Sequence, residues 1–226
     1  MEITRIRMLR GPNLWSRHTA LEAIVSCEES ERSIDLIPEF EIKIRERFPQ
    51  LGSMRRGGHN EVLSLAHALE HAALGLQAQA GCPVTFSRTV QTIDAGVYQV
   101  VVEYTEEVVG RMAFDFAFAL IQSTLSDVPF DLAAALAELE ALYEDVRLGP
   151  STGSIVDAAL QRNIPYRRMT EGSMVQFGWG SKQKRIQAAE TSATSAIAEA
   201  IAQDKELTKN LLAAAGVSVP IGEVVT

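Results

Sequence analysis

The sequence predicts a mixed α and β fold of the α+β class, with a β-hairpin or sheet packed by helices. Residues 84–92 and 97–105 are rich in β-branched and aromatic residues, and Asp94-Ala95-Gly96 lies between them as a turn. Amphipathic helical patterns flank this hairpin on both sides. Across 226 residues, 46% are hydrophobic and 22% charged, which is typical of a folded chain and argues against disorder.

The elements before the hairpin follow from punctuation by glycine, proline and capping residues. Gly11-Pro12 marks a turn, Pro38 opens a helix, and Asn60 and Gly81 bracket a longer helix as its N-cap and its C-terminal stop. We expect, in order, a strand over 3–9, helices over 19–31 and 38–48, a loop over 52–58 and a long helix over 60–80.

The elements after the hairpin predict a change of domain. Acidic residues at 106 and 107 suit the first turn of a helix, and Gly149-Pro150 marks a boundary between domains 1–150 and 151–226. We expect helices over 106–124, 131–147 and 151–162, a β-like passage over 164–177, a turn at 178–180, helices over 194–203 and 205–215, and a strand over 217–226.

Charge and cysteine content exclude some classes of function. The formal net charge is −8, which argues against a dedicated nucleic-acid binder and favours cationic or zwitterionic ligands. No apolar run approaches the roughly 18–20 residues of a membrane span, and no secretion signal is visible at the start. Cys27 and Cys82 form no disulfide framework, which favours a reducing cytoplasm.

The residues most able to carry chemistry are His67, Glu70 and His71, in the pattern His-x-x-Glu-His. At about 100° per residue all three lie on one side of the predicted helix. Two histidines four residues apart can bind one Zn²⁺, and a glutamate between them can act as general base on a metal-bound water. The opposing interpretation is that a pair of helix histidines is polar surface.

A catalytic zinc ion needs a third protein ligand. His59 lies near the helix, but its angle on the helix is poor. The carboxylates of Glu103, Glu106, Glu107 and Glu144 follow downstream. We favour Glu107, with Glu103 second, because a strand-to-helix junction presents ligands well. The alternative for Glu106 and Glu107 is complementation of the helix dipole.

Several segments together resemble one family, the cyanophycin synthetases, over essentially the whole chain. They are LRGPNLWS at 9–16, GVYQVVVEY at 96–104, GPST at 149–152, VQFGWGSKQKRIQ at 175–187, DKELTK at 204–209 and AGVSVP at 215–220. The order and spacing of these segments are similar to the N-terminal quarter of the family.

The resemblance implies a cytoplasmic, homotetrameric ligase that uses ATP to build cyanophycin, a storage polymer with a poly-aspartate backbone and an arginine on each aspartate side chain. It implies that 1–150 is the N-terminal domain and 151–226 the first part of an ATP-grasp domain. In some members the N-terminal domain carries a zinc-dependent, metallopeptidase-like hydrolase at a His-x-x-Glu-His motif, which makes primers. His67, Glu70 and His71 match that motif.

The same resemblance implies contacts with the polymer, whose guanidinium and carboxylate groups pair well with fixed opposite charges. Candidate contacts are Arg55, Arg56, Glu103, Glu106 and Glu107. Nothing after Pro220 supplies an ATP-grasp lysine, phosphate loop or magnesium ligands, so we expect ATP and Mg²⁺ to serve the full-length ligase and not this stretch. Two further hypotheses remain: a polymer-docking and oligomerisation platform with a vestigial metal site, and a metal-binding protein unrelated to the polymer.

Overall fold

Two four-stranded antiparallel sheets and seven α-helices make up residues 1–54 and 62–222, the part of the chain that the computed structural model describes. This confirms the mixed α+β class. The strands are β1 (Glu2–Leu9), β2 (Ala20–Ser26), β3 (Ser87–Gln91), β4 (Val97–Glu103), β5 (Tyr166–Arg168), β6 (Val175–Phe177), β7 (Lys184–Gln187) and β8 (Glu190–Thr191). The helices are α1 (Phe40–Arg47), α2 (Leu65–Gln79), α3 (Glu107–Leu125), α4 (Leu132–Val146), α5 (Pro150–Leu160), α6 (Ala196–Gln203) and α7 (Lys205–Ala214).

The first sheet has the order β1-β2-β4-β3, and β2 is one of its two central strands. The predicted helix over 19–31 is therefore wrong. Leucine, glutamate and alanine favour a helix locally, but alternation places Leu21, Ala23 and Val25 in the core at 0–1% exposure. Pairing with a strand on either side outweighs the weak helical preference.

The hairpin of β3 and β4 forms as predicted, in antiparallel register from Ser87 opposite Val102 to Gln91 opposite Tyr98. Gly96 adopts a φ of 82° in the turn, in the left-handed region that glycine tolerates. A Cβ there would lie 2.7 Å from the Cys27 carbonyl oxygen, so this position admits no side chain. The turn thus lies directly against the end of β2.

The core lies between the first sheet and the helices. Helix α2 packs against α3 and against β3 and β4, while α1 and α4 pack against α3. Fully buried aromatic and aliphatic side chains fill the space between them, among them Phe40, Ile44, Phe48, Leu69, Leu76, Phe114, Leu120 and Ile121. Each side chain of this size contributes about 1.5–3 kcal/mol by leaving water.

Helix α2 begins later than the sequence predicts. Its N-cap is Ser64, and the predicted cap Asn60 lies outside the described residues. At the other end Gly81 has a φ of 88° one residue beyond the C-cap, as predicted. Val62, within the predicted helix over 60–80, precedes the observed helix and is exposed.

Glu22 is buried on the outer face of the first sheet. Its carboxylate accepts hydrogen bonds from Arg7 Nε at 2.6 Å, from Trp15 Nε1 at 3.3 Å and from the side-chain amide of Gln99. Burial would raise the pKa of Glu22, but these three donors outweigh it and hold the pKa below its ordinary value.

The second sheet has the order β5-β6-β7-β8, and its short strands follow α5. The sequence predicts β structure only to 177, so β7 and β8 were missed. Helices α6 and α7 form as expected, with Ile197 and Leu211 exposed. A strand was predicted over 217–226. Residues 217–222, the part of this range that the structure describes, form no strand.

Within the described ranges, α3 is the one helix long and apolar enough to cross a membrane by length and composition. Its residues Val109, Phe114, Leu120 and Ile121 are fully buried among α1, α2 and α4. This burial is that of a core helix in a packed domain. The sequence was expected to contain no apolar run of membrane-spanning length. Helix α3 differs from that expectation because alanine and phenylalanine fill its middle turns.

Candidate functional site

The His-x-x-Glu-His motif lies in the first two turns of α2. Helical periodicity places the three side chains on one side, but they differ in burial: Glu70 is 2% exposed, while His67 and His71 are half-buried. The motif is therefore not an exposed polar surface. A buried glutamate is costly unless its carboxylate is satisfied, and Glu70 has partners in the protein.

The ring of His67 is held by the start of its own helix. The Ser64 backbone N–H donates to Nδ1 of His67 at 3.1 Å, and the Ser64 hydroxyl lies 3.0 Å from the same atom. The ring also meets Tyr98 edge-on, with centroids 5.8 Å apart. His67 thus takes the position that a glutamate occupies in a capping box and anchors the N-terminus of α2.

This hydrogen bond determines the tautomer of His67. Because Nδ1 accepts a backbone N–H, the neutral ring carries its proton on Nε2. A metal ion bound through Nε2 needs that nitrogen unprotonated. Binding would therefore cost the ring its bond to the Ser64 N–H.

The described residues do not by themselves fit a zinc site. Over 1–54 and 62–222, no group of three histidine, cysteine, aspartate or glutamate side chains is placed to hold a metal ion. The predicted set of His67, His71 and Glu107 is not brought together. His59 lies outside the described residues.

Glu107 is used elsewhere. At the start of α3, its two carboxylate oxygens accept Nε and Nη2 of Arg10 at 2.6 and 2.7 Å. This bidentate pair lowers the pKa of Glu107 and raises that of Arg10. It ties the end of β1 to the first turn of α3.

Glu103 and Glu106, both predicted to contact a ligand, have hydrogen-bond partners within the protein. Glu103 is 6% exposed and accepts the backbone N–H groups of Thr85 and Phe86, each at 2.8 Å. Glu106 is bound by Arg168 at 2.8 Å. Burial raises the pKa of Glu106, and Arg168 partly opposes that rise. Whether either carboxylate also contacts a polymer stays a prediction.

Arg55 and Arg56, the other predicted contacts, lie outside the described residues. Sequence reasoning also missed an open groove where the loop after β1 meets the second sheet, lined in part by Arg10, Arg167 and Trp179. Both contributing segments, 9–16 and 175–187, stand out in the sequence. Their contact does not, because it joins opposite ends of the chain.

The described geometry is that of an α+β domain with charged side chains on its surface and a half-buried histidine pair on one core helix. Residues 23–126 match the cyanophycin synthase-like N-terminal domain. The chain is 38% identical over 240 residues to the cyanophycin synthetases of Trichormus variabilis and Geminocystis herdmanii, and 36% identical over 244 residues to that of Synechocystis sp..

These matches cover 100% of this chain and 27–28% of each relative. The chain is similar along its whole length to cyanophycin synthetases, and residues 23–126 match the N-terminal domain of that family. The family resemblance predicted from the sequence is thereby confirmed. The chain spans about a quarter of the length of these curated relatives.

Proposed function

We propose that this chain is part of an ATP-dependent ligase that builds cyanophycin, and that the stretch described here holds the polymer. The observation that carries the proposal is similarity along the whole chain to proteins named cyanophycin synthetase. As in the sequence-based prediction, ATP and Mg²⁺ belong to the full-length ligase. The domain boundary near residue 150 stays a prediction.

The surface charges support polymer binding. Each repeat of the polymer offers a guanidinium and a carboxylate group. The exposed face of α4 presents Glu138, Glu140 and Asp145 toward solvent, and the net charge of −8 favours guanidinium groups in general. One exposed pair contributes only about 0–1 kcal/mol, so useful affinity requires many repeats to be engaged together.

Co-sedimentation with cyanophycin tests the proposal. We expect binding to weaken as the salt concentration rises from about 0.05 to 0.5 M, because salt screens the attraction between exposed charges. Polyaspartate is the matched control polymer, because it has the same backbone without the guanidinium groups and should be repelled by an acidic chain. Equal binding of both polymers, or of neither, would contradict the proposal.

A second candidate, the zinc-dependent hydrolase, is favoured by one observation: Glu70 is buried on the same side of α2 as His67 and His71. Zinc would supply a polarised water there, and residues outside the described ranges would have to complete its ligands. Metal content and cleavage of cyanophycin test this candidate. His67→Ala should lose zinc and cleavage together, whereas Glu70→Gln should keep zinc and lose cleavage.

Absence of zinc from the wild-type chain, with polymer still bound and intact, would instead support the docking platform. The platform hypothesis also includes self-association, and we propose a homo-oligomer, a tetramer in the full-length ligase. Light scattering coupled to size-exclusion chromatography measures the mass directly, and a monomer at all concentrations would contradict self-association of this stretch.

A further inference from the structure

An open groove of about 590 Å³ runs between the loop after β1 and the second sheet. Its walls come from the end of β1, the following loop, β5 and the turn after β6. The lining residues are Met8, Leu9, Arg10, Gly11, Pro12, Asn13, Arg167 and Trp179. The groove is thus separate from the His-x-x-Glu-His face of α2, since it shares no residue with it.

The groove carries excess positive charge. Arg10 is already bound on two of its nitrogens by Glu107. Arg167 is half-buried, and no carboxylate lies within ion-pair distance of it in residues 1–54 and 62–222. Two guanidinium groups therefore face one carboxylate, and Arg167 is available to a ligand carboxylate in bidentate geometry.

The groove also has an aromatic wall. Trp179 is 40% exposed, and its indole lies directly on the backbone of Gly11. A Cβ at Gly11 would come within 2.8 Å of Trp179 Cη2 and 2.9 Å of Cζ2, so the absent side chain is what lets the ring lie there. An exposed tryptophan face attracts planar cations, guanidinium above all.

We propose that this groove binds one repeat of the polymer, with the carboxylate of the repeat on Arg167 and its guanidinium stacked on Trp179. The ligand class is a zwitterionic unit in which a carboxylate and a guanidinium are carried by one side chain. The inference rests on the proposed function and adds to it the place where a repeat is held.

The test compares the wild-type chain with Arg167→Ala and Trp179→Ala. For each protein, binding is measured to cyanophycin and to the dipeptide in which arginine is joined to the aspartate side chain. We expect each variant to bind the polymer at least about fivefold more weakly, because each loses one charged or cation–π contact. Trp179→Phe retains an aromatic face and should recover most of the loss. Arg45→Ala is the matched control, since it removes an exposed guanidinium of α1 outside the groove.

Three outcomes separate the inference from the proposed function. Weakened binding in both groove variants with normal binding by Arg45→Ala supports the groove. Normal polymer binding by folded Arg167→Ala and Trp179→Ala overturns the groove and leaves polymer binding standing. No polymer binding by the wild-type chain overturns both. If Trp179→Ala fails to fold by circular dichroism, Arg167→Ala decides the question, because Arg167 makes no ion pair in the described part of the chain.

Discussion

Arg168 and Glu106 join the second sheet to the start of α3. Nη1 of Arg168 donates to the Glu106 carboxylate at 2.8 Å, and the two side chains are 20% and 13% exposed. The same guanidinium also donates to the carbonyl oxygens of Val146 and Gly172. One arginine therefore connects β5, α4 and α3, three elements that lie on both sides of the predicted domain boundary.

Removing this arginine should destabilise the protein. Arg168→Ala leaves Glu106 in a largely buried place without its cation, which costs about 2–4 kcal/mol. We expect a lower midpoint in urea and faster proteolysis within 151–222. Arg168→Ala combined with Glu106→Gln should recover part of the loss, because the uncompensated charge is gone. A double variant no more stable than the single variant would show that the carboxylate charge is not the cause.

Gly110 and Gly153 should respond oppositely to alanine. A Cβ at Gly110 in α3 would lie 2.5 Å from Tyr104 Cβ, whereas at Gly153 in α5 the nearest atom is the Leu148 carbonyl oxygen at 3.7 Å. We expect Gly110→Ala to lower the free energy of unfolding by about 1–3 kcal/mol through overpacking. Gly153→Ala should raise it by about 0.5–1 kcal/mol, as alanine does in a helix interior. Equal effects in chemical denaturation would refute the packing argument.

Glu22 should make stability depend on acid pH. Its pKa lies below the ordinary 4.5, so the bonded carboxylate contributes stability that is fully present above that value. The contribution is lost as pH falls through the lower folded-state pKa. Glu22→Gln should be less stable near neutral pH by about 1–3 kcal/mol and should show a smaller decline between about pH 5 and pH 3. Parallel curves for the two proteins would contradict this role.

The tautomer of His67 can be read from nitrogen chemical shifts. We expect Nδ1 to be the unprotonated nitrogen, because it accepts the Ser64 N–H at 3.1 Å. His18 is the comparison ring, since its Nδ1 lies 3.6 Å from the Glu103 carboxylate. A protonated Nδ1 in His67 would remove the main geometric obstacle to a zinc ligand at this position.

The helices and the hairpin were predictable because their signals are local. Gly81 ends α2 as the sequence indicates, and α4 begins at the start of its predicted range, where the Asp131 side chain accepts the Ala134 N–H. Strand β2 was not predictable, because pairing with β1 and β4 outweighs the local helical preference of its residues. The position of the His-x-x-Glu-His motif on a helix was likewise foreseeable.

The roles of the surrounding carboxylates were not foreseeable. Glu103, Glu106 and Glu107 sit at a strand-to-helix junction, as expected, but their partners are Thr85, Arg168 and Arg10, which come from distant parts of the chain. A spacing pattern records which residues share a face of one element. It does not record which hydrogen-bond donor the rest of the fold brings to that face.

The central place of β2 has a consequence for the order in which the sheet assembles. Its partner on one side, β1, precedes it closely in the chain, whereas its partner on the other, β4, follows only after α1, α2 and β3. Closing such a long loop is entropically costly before the contacts form. A chain emerging from the ribosome therefore completes the β1–β2 ribbon first and carries an unpaired strand edge until β4 has been made, which makes this interval the one most open to misassociation.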